Sequence, residues 1–212
     1  MKIRRATMAV VAAGALVLAG CGNSDDDDGG DEAKTSATTV ESVNIVGEVA
    51  GKDVLIEKPI APTVAQCRQV LSAAAKAGVT LMPGHTMRFT LPFLAARRII
   101  DSGEIGGMRF GSSRMIKLWM EENRRDWHLD ATTGGGMLFT AGIHALDRLL
   151  AFAGRRATHV SAVTATAFHK QNADDVALML IRFGDDTAGQ VASIGYRDGA
   201  FISGDEIVCD GG

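Results

Sequence analysis

The chain has 212 residues, of which 46% are hydrophobic and 22% charged, so it can bury an apolar core and form one or two domains. This composition excludes a fibrous or wholly disordered protein. The formal net charge is only −3, and no basic run could neutralise a series of phosphates, which argues against nucleic acid as a partner.

The first 21 residues have the pattern of a bacterial lipoprotein signal peptide. Basic residues open the chain, and the apolar run at 6–18 is short for a membrane-spanning helix. The run ends in Leu-Ala-Gly-Cys, which resembles a lipobox, so Cys21 is the predicted lipidation site. A buried helix over 6–20 is the weaker alternative, because four aspartates follow it closely.

An acidic segment follows at 22–47. It carries seven acidic residues and one basic residue, whereas residues 48–212 contain eighteen of each. This composition is typical of a solvated, disordered linker. The two segments together predict a membrane-anchored lipoprotein on the outer side of the bacterial inner membrane, or in the periplasm or at the cell surface. A cytoplasmic protein is predicted instead if the leader is a false join.

The body opens with a strand, helix, strand pattern. Strands are predicted at 53–57 and 79–82, and between them Pro62 and Thr63 begin a helix that Gly78 ends. Such a crossover indicates a parallel sheet covered by helices. Cys67 is interpreted as a small buried apolar residue on the helix. The stripe predicted to be buried comprises Val64, Cys67, Val70, Leu71 and Ala74.

The pattern changes after a second amphipathic helix at 91–102. Strands then follow one another with few helices between them, which indicates a mainly antiparallel sheet in a second domain. The predicted strands are 108–117, 158–168, 175–183, 187–196 and 206–209.

Four segments of the body carry a resemblance to a known family. Glu-Lys-Pro at 57–59 follows the first strand of the body, and Gly-His-Thr-Met-Arg-Phe at 84–89 follows the next. Residues 100–106 resemble a domain-crossing helix and turn, and 134–147 resemble a glycine triplet followed by a catalytic helix. In this order they resemble the Gfo/Idh/MocA family of sugar and polyol dehydrogenases over about 48–212.

The resemblance implies an α/β (α+β) fold. Residues 48–90 are expected to be the end of a Rossmann-like nucleotide-binding domain, built on the remnant of a parallel sheet. Residues 91–212 are expected to be an α/β domain for substrate binding and oligomerisation, with a mainly antiparallel sheet. Both domains are expected to be truncated relative to the family.

A nicotinamide-dependent alcohol oxidation needs a base for the hydroxyl proton and a cation beside the developing alkoxide. The resemblance implies that Lys58 contacts nicotinamide and substrate, that Glu57 helps to hold the cofactor, and that Pro59 follows a cis peptide bond. It also places Arg88 and Trp127 among the cofactor-binding residues. The alternatives are a surface lysine before a loop proline and an ordinary core or rim tryptophan.

His144 is the predicted base, because an imidazole exchanges protons near neutral pH. The resemblance implies that a matching histidine works with an aspartate four residues earlier, and here that position is Thr140. Threonine can hydrogen-bond a substrate hydroxyl, but it cannot carry the negative charge that stabilises an imidazolium. A helix histidine packed under a glycine turn is the alternative.

The sequence lacks the Gly-x-Gly-x-x-Gly motif that normally binds the pyrophosphate of a dinucleotide. NAD or NADP is therefore predicted to bind weakly. The backbone amides of 134–136 could bind phosphate, although a tight turn is the more common role of such a glycine triplet. His85, His128, His159 and His169 are not spaced as metal ligands, so no metal site is predicted.

Two functions from different classes remain open. One is an NAD(P)-dependent oxidoreductase acting on a sugar, inositol or related polyol, impaired by truncation. The other is a membrane-tethered lipoprotein or binding module without catalysis, built on a dehydrogenase fragment. A homo-oligomer formed through the C-terminal sheet is also expected, whereas the substrate and the choice between NAD and NADP stay open.

Overall fold

The structure, a computed structural model, describes residues 9–10, 52–119, 122 and 124–212. The chain divides into two compact units between Gly84 and His85, six residues before the predicted domain boundary at 90. The predicted lipidation site Cys21 and the acidic segment at 22–47 lie outside the described residues.

The first unit contains a parallel sheet covered by a helix. Its described elements are β1 (Ala9–Val10), β2 (Val54–Ile56), α1 (Val64–Ala77) and β3 (Leu81–Pro83). β2 pairs in parallel with β1 on one side and with β3 on the other. The predicted crossover is therefore confirmed, and β1 lies within the apolar run that was assigned to the signal peptide.

Local sequence sets both ends of α1. The Thr63 hydroxyl oxygen accepts a hydrogen bond from the Gln66 amide at 3.2 Å, and Gly78 ends the helix with a positive φ of 67°. Val70 and Ala74 are buried against three apolar residues that flank β2 or lead into β3, namely Ile60, Val79 and Leu81.

The predicted buried stripe of α1 is wrong at two positions. Val64 and Leu71 are 67% and 51% exposed, because in the described part of this unit the apolar partners meet only the line of the helix that carries Val70 and Ala74. Cys67 is half-buried and its thiol donates to the Ala61 carbonyl at 3.6 Å, so it is less buried than predicted.

The second unit packs two helices and several short helical turns against a larger sheet. The helices are α2 (Leu91–Ser102) and α3 (Ile143–Ala153), and a π-helical segment at Leu138–Gly142 leads directly into α3. The strands are β4 (Met108–Leu118), β5 (His159–Ala165), β6 (Val176–Arg182), β7 (Ala188–Tyr196) and β8 (Ile202–Cys209).

The sheet order is β5-β6-β7-β4-β8, in which β4 and β7 pair in parallel and the other neighbours are antiparallel. The mainly antiparallel sheet predicted from the sequence is confirmed. The last strand, predicted at 206–209, begins earlier, at Ile202.

One face of this sheet is buried by α3. Apolar and polar residues alternate along the strands, so that Met115, Ile181 and Val191 face inward and pack in the same core as Leu149 of α3. The helical stretch 131–153 is long and apolar enough to span a membrane, but half of that stretch is buried, and α3 within it packs on the sheet as a core helix.

Asp175 anchors the turn between β5 and β6. Its fully buried carboxylate accepts hydrogen bonds from three successive backbone amides, those of residues 167–169, and lies 3.2 Å from His169 Nδ1. Burial alone would raise the pKa of Asp175, but these donors outweigh burial and hold the pKa below its ordinary value.

We expect Asp175→Asn to reduce the free energy of unfolding at pH 7 by about 3 kcal/mol, because the amide cannot replace the charged acceptor of several buried donors. Urea unfolding measures the change. The loss should shrink as the pH falls below 3.8, because the carboxylate of the unfolded chain takes up a proton there, whereas the native carboxylate, with its lower pKa, does so only at lower pH. Exposed Asp185 is the control, and Asp185→Asn should leave the stability nearly unchanged. Equal effects of the two variants would contradict the anchoring role.

Candidate active site

The Glu-Lys-Pro segment lies at the carboxyl end of β2, in the first unit. Glu57 is exposed and Lys58 is half-buried, and the peptide bond between Lys58 and Pro59 is cis, as the resemblance implied. Gly84, just after β3, donates its amide to the Ile56 carbonyl at 2.7 Å. The ends of two parallel strands thus meet here, which is where open α/β sheets bind ligands.

The glycine triplet in the second unit is a tight turn. The amides of Gly134, Gly135 and Gly136 donate to the carbonyls of Ala131, Asp130 and His128. A side chain on Gly135 would collide with the backbone of Trp127 and His128. Because all three amides are already used, they are not available to bind phosphate, and the phosphate-binding hypothesis for this triplet is wrong.

The π-helical segment follows this turn. Asp174 satisfies the first amides of this segment, since its backbone carbonyl accepts from Met137 and its carboxylate accepts from Leu138 at 2.9 Å. Burial raises the pKa of Asp174, against the lowering effect of the Leu138 amide. Gly142 ends the π-helical segment beside the fully buried Ser193 of β7, where no larger residue fits. Such π segments occur often at functional sites.

Thr140 and His144 follow along this helix, and both are half-buried. The Thr140 hydroxyl donates to the Gly136 carbonyl at 2.8 Å. Its single hydrogen is thus committed to the backbone, and only its lone pairs remain for another group. His144 lies in the first turn of α3, directly after the π-helical segment.

Arg88 forms an ion pair with Asp147 of α3. Its Nε and Nη2 atoms donate to the two carboxylate oxygens of Asp147 at 2.7 and 2.6 Å, and the hydrogen bond to Asp147 raises the pKa of Arg88. Asp147 is buried, and His85 Nδ1 lies 3.7 Å from its Oδ2. Sequence reasoning missed Asp147 and His85, although both stand inside the quoted motifs.

Trp127 lies in a short 3-10 helix at Asp126–Leu129 and is 39% exposed. Its ring stacks on that of His128 with the centroids 3.6 Å apart. The exposed face is therefore a flat aromatic surface, of the kind that can form one wall of a pocket. In the residues that the structure describes, no three metal-type side chains come together.

Two protein-family models match successive parts of the chain. The model of the GFO/IDH/MocA C-terminal domain matches residues 93–206, more than half of the chain. The chain belongs to the Gfo/Idh/MocA family. The model of the oxidoreductase family with an NAD-binding Rossmann fold matches residues 38–85. The second match begins inside the segment that we predicted to be a linker, so the family region starts earlier than 48.

Relatives of known name are longer than this chain. The 1-carboxy-3-chloro-3,4-dihydroxycyclohexa-1,5-diene dehydrogenase of Comamonas testosteroni is 33% identical over 159 residues, which cover 75% of this chain and 39% of the relative. The crystal structure of GenD2 from gentamicin A biosynthesis in complex with NAD has a TM-score of 0.71 and 25% identity, covering 81% of this chain and 50% of GenD2. An oxidoreductase domain protein from Kribbella flavida has a TM-score of 0.70 and 28% identity, covering 79% and 48%.

The described residues fit one end of a nicotinamide dinucleotide. A carboxylate and an ammonium follow β2, and Gly84 beside them leaves little room for a side chain, since a Cβ there would lie 3.3 Å from the Ile56 carbonyl oxygen. Such a donor set suits a nicotinamide and its ribose. The glycine triplet at 134–136 offers the pyrophosphate no cradle, because its amides are bonded internally.

The contact between Gly142 and Ser193 gives a test of the helix placement. We expect Gly142→Ala to lower the free energy of unfolding by about 2 kcal/mol, because the added Cβ would lie 2.5 Å from Ser193 Cβ and force the helix from the sheet. This loss should exceed the gain in helix propensity. Gly204→Ala is the matched control, since a Cβ there meets nothing within 4 Å. If urea unfolding shows that Gly204→Ala is less stable than Gly142→Ala, the placement of the helix against Ser193 is refuted.

Proposed function

We propose that this chain is an NAD(P)-dependent oxidoreductase by descent, acting on the CH–OH group of a sugar, inositol or related polyol. The observation that carries the proposal is the Gfo/Idh/MocA match, which includes both the Lys58 loop and the His144 helix. The named relatives support it: one is a dehydrogenase of a cyclic dihydroxy acid, and GenD2 was crystallised with NAD.

Each predicted residue has a role that its chemistry supports. His144 takes the hydroxyl proton of the substrate, and the ammonium of Lys58 stabilises the alkoxide that develops. The nicotinamide supplies the hydride acceptor when it is bound. Glu57 and Pro59 hold the cofactor beside Lys58, and the exposed ring of Trp127 forms a wall for the nicotinamide. Arg88 is held in place by Asp147, and its exposed guanidinium contacts the cofactor in this proposal.

Turnover by this chain is expected to be impaired. The 212 residues contain no Gly-x-Gly-x-x-Gly motif, and the one glycine triplet that could replace it uses its amides internally. In addition, Thr140 stands where the family pattern has a carboxylate. Cofactor affinity and base strength are therefore both reduced.

A second function rests on the leader. The lipobox at 18–21 favours a lipoprotein tethered to the membrane through Cys21, with the segment at 22–47 as a solvated linker. Such a protein would be a binding module without catalysis, and it would reside where nicotinamide cofactors are scarce.

Self-association through the C-terminal sheet is a further part of the proposal. The face of the sheet opposite α3 exposes apolar side chains from four strands, and apolar patches of this kind mark protein interfaces. The residues are Phe110, Val163, Leu178, Leu180, Ile202 and Val208. A second copy of the chain would cover them.

The catalytic assignment can be tested in the full chain extended at its N-terminus with the nucleotide-binding half of a relative. We expect Thr140→Asp to raise kcat about 10²-fold, because a carboxylate supports the imidazole in general base catalysis. Adding His144→Ala should abolish that gain, and Lys58→Ala should lower kcat in either background. Oxidation of a polyol panel, followed by cofactor absorbance, measures the rates.

The exposed Lys52 provides the control for Lys58, and Lys52→Ala should leave kcat unchanged. Equal turnover with alanine at positions 58 and 144 would show that the site has been assigned to the wrong residues.

The lipoprotein function predicts acylation when the chain is produced in bacteria with its own leader. The protein should partition with membranes, and Cys21→Ser should release it or leave an uncleaved precursor, because the thiol is the acylation site. Membrane fractionation and mass spectrometry report the two outcomes. If both versions yield the same amount of free, unacylated protein, the leader is no lipoprotein signal.

A further inference from the structure

An ion pair between the 45% exposed Arg88 side chain and a buried carboxylate joins the turn that follows β3 to the helix that carries His144. Arg88, in the 3-10 turn at Thr86–Phe89, donates from two nitrogens to separate oxygens of Asp147, three residues after His144. The Asp147 side chain is only 8% exposed. A two-point contact of this kind fixes the rotation of the carboxylate as well as its position.

His85 stands against the same carboxylate. Its Nδ1 atom lies 3.7 Å from Asp147 Oδ2, the oxygen that also accepts from Arg88 Nε. This distance is long for a hydrogen bond, but it places the ring nitrogen directly beside the carboxylate. Nδ1 is buried, and within the described residues it has no hydrogen-bond partner. Because an unmade bond at a buried nitrogen costs free energy, approach of this nitrogen to Asp147 is favoured.

The other neighbour of His85 is His144. The two rings are 6.5 Å apart between centroids and nearly perpendicular, at 86°, so that they pack edge to face. Such packing restricts rotation of the His144 ring. Thr140 cannot supply the same restraint by donating, since its hydroxyl hydrogen is directed to the Gly136 carbonyl.

We propose that His85 is a positioning residue that couples the Asp147 carboxylate to the His144 ring. This inference deepens the proposed function and rests on it for the role of His144 as the base. In a protein with threonine at position 140, the negative charge that orients the base comes from one turn later in the helix. The Asp147 carboxylate supplies this charge and acts through His85, and Arg88 holds the carboxylate in place.

The imidazole nitrogens of His144 report directly on this coupling. Which ring nitrogen carries the proton depends on how the ring is held, and ¹⁵N NMR distinguishes the two tautomers. In the full-length labelled chain we expect two well-separated nitrogen signals for neutral His144. In His85→Ala the edge-to-face contact with His144 is lost, and the two signals should shift toward a common averaged position.

Two further variants sharpen the experiment. His85→Phe keeps an aromatic edge but removes Nδ1, so it should shift the His144 signals as His85→Ala does if Asp147 acts through that nitrogen. His159, on the exposed strand β5, is the matched control, and His159→Ala should leave the signals unchanged. Circular dichroism verifies that each variant is folded, and His85→Phe serves alone if the alanine variant does not fold.

The inference is overturned if the His144 signals stay at their wild-type positions in either folded variant, His85→Ala or His85→Phe. The measurement does not depend on turnover. If the His144 signals respond as expected while the extended chain oxidises no polyol, the coupling stands and the proposed function fails.

Discussion

The site depends on the close approach of one helix to the inner face of the C-terminal sheet. The backbone at Gly135 and Gly142 lies so near to neighbouring atoms that a Cβ at either position would collide, with the 127–128 carbonyls in one case and with Ser193 in the other. This approach seats the π-helical segment and α3 on β4 and β7. It thereby fixes the positions of Thr140, His144 and Asp147, which all lie on one continuous helix.

Charged side chains reinforce the same placement. Asp174 bonds the first turn of the π-helical segment, and Asp147 is held by Arg88. Farther along α3, the buried Arg148 donates to Asp205 of β8 at 2.8 Å, which ties the helix to the edge of the sheet. Leaving the buried charge of Asp147 or Arg148 without its partner would cost several kcal/mol, which restrains rotation of the helix. A rigid helix suits a base that must meet its substrate in one geometry.

Much of this fold could be predicted from the sequence, because period-two strands and the caps of α1 are local patterns. The Rossmann-type crossover, the antiparallel sheet and the cis bond at Pro59 followed from such patterns and from the resemblance. The π-helical segment could not be predicted, since its extra residue per turn leaves no distinct hydrophobic period. The pairing of Arg88 with Asp147 was missed because it joins residues 59 positions apart. The exposure of Val64 and Leu71 was missed because periodicity indicates which residues share a helix face, but not how much of that face other elements cover.

We propose that this chain carries the nicotinamide end of a Gfo/Idh/MocA site, whereas its 212 residues contain no Gly-x-Gly-x-x-Gly motif to bind the pyrophosphate. Calorimetric titration of the purified full chain with NAD and with NADP tests this claim most directly. We predict no saturable binding below about 0.1 mM for either cofactor, because the sequence offers the pyrophosphate no Gly-x-Gly-x-x-Gly motif. A dissociation constant in the low micromolar range for either cofactor would contradict the account.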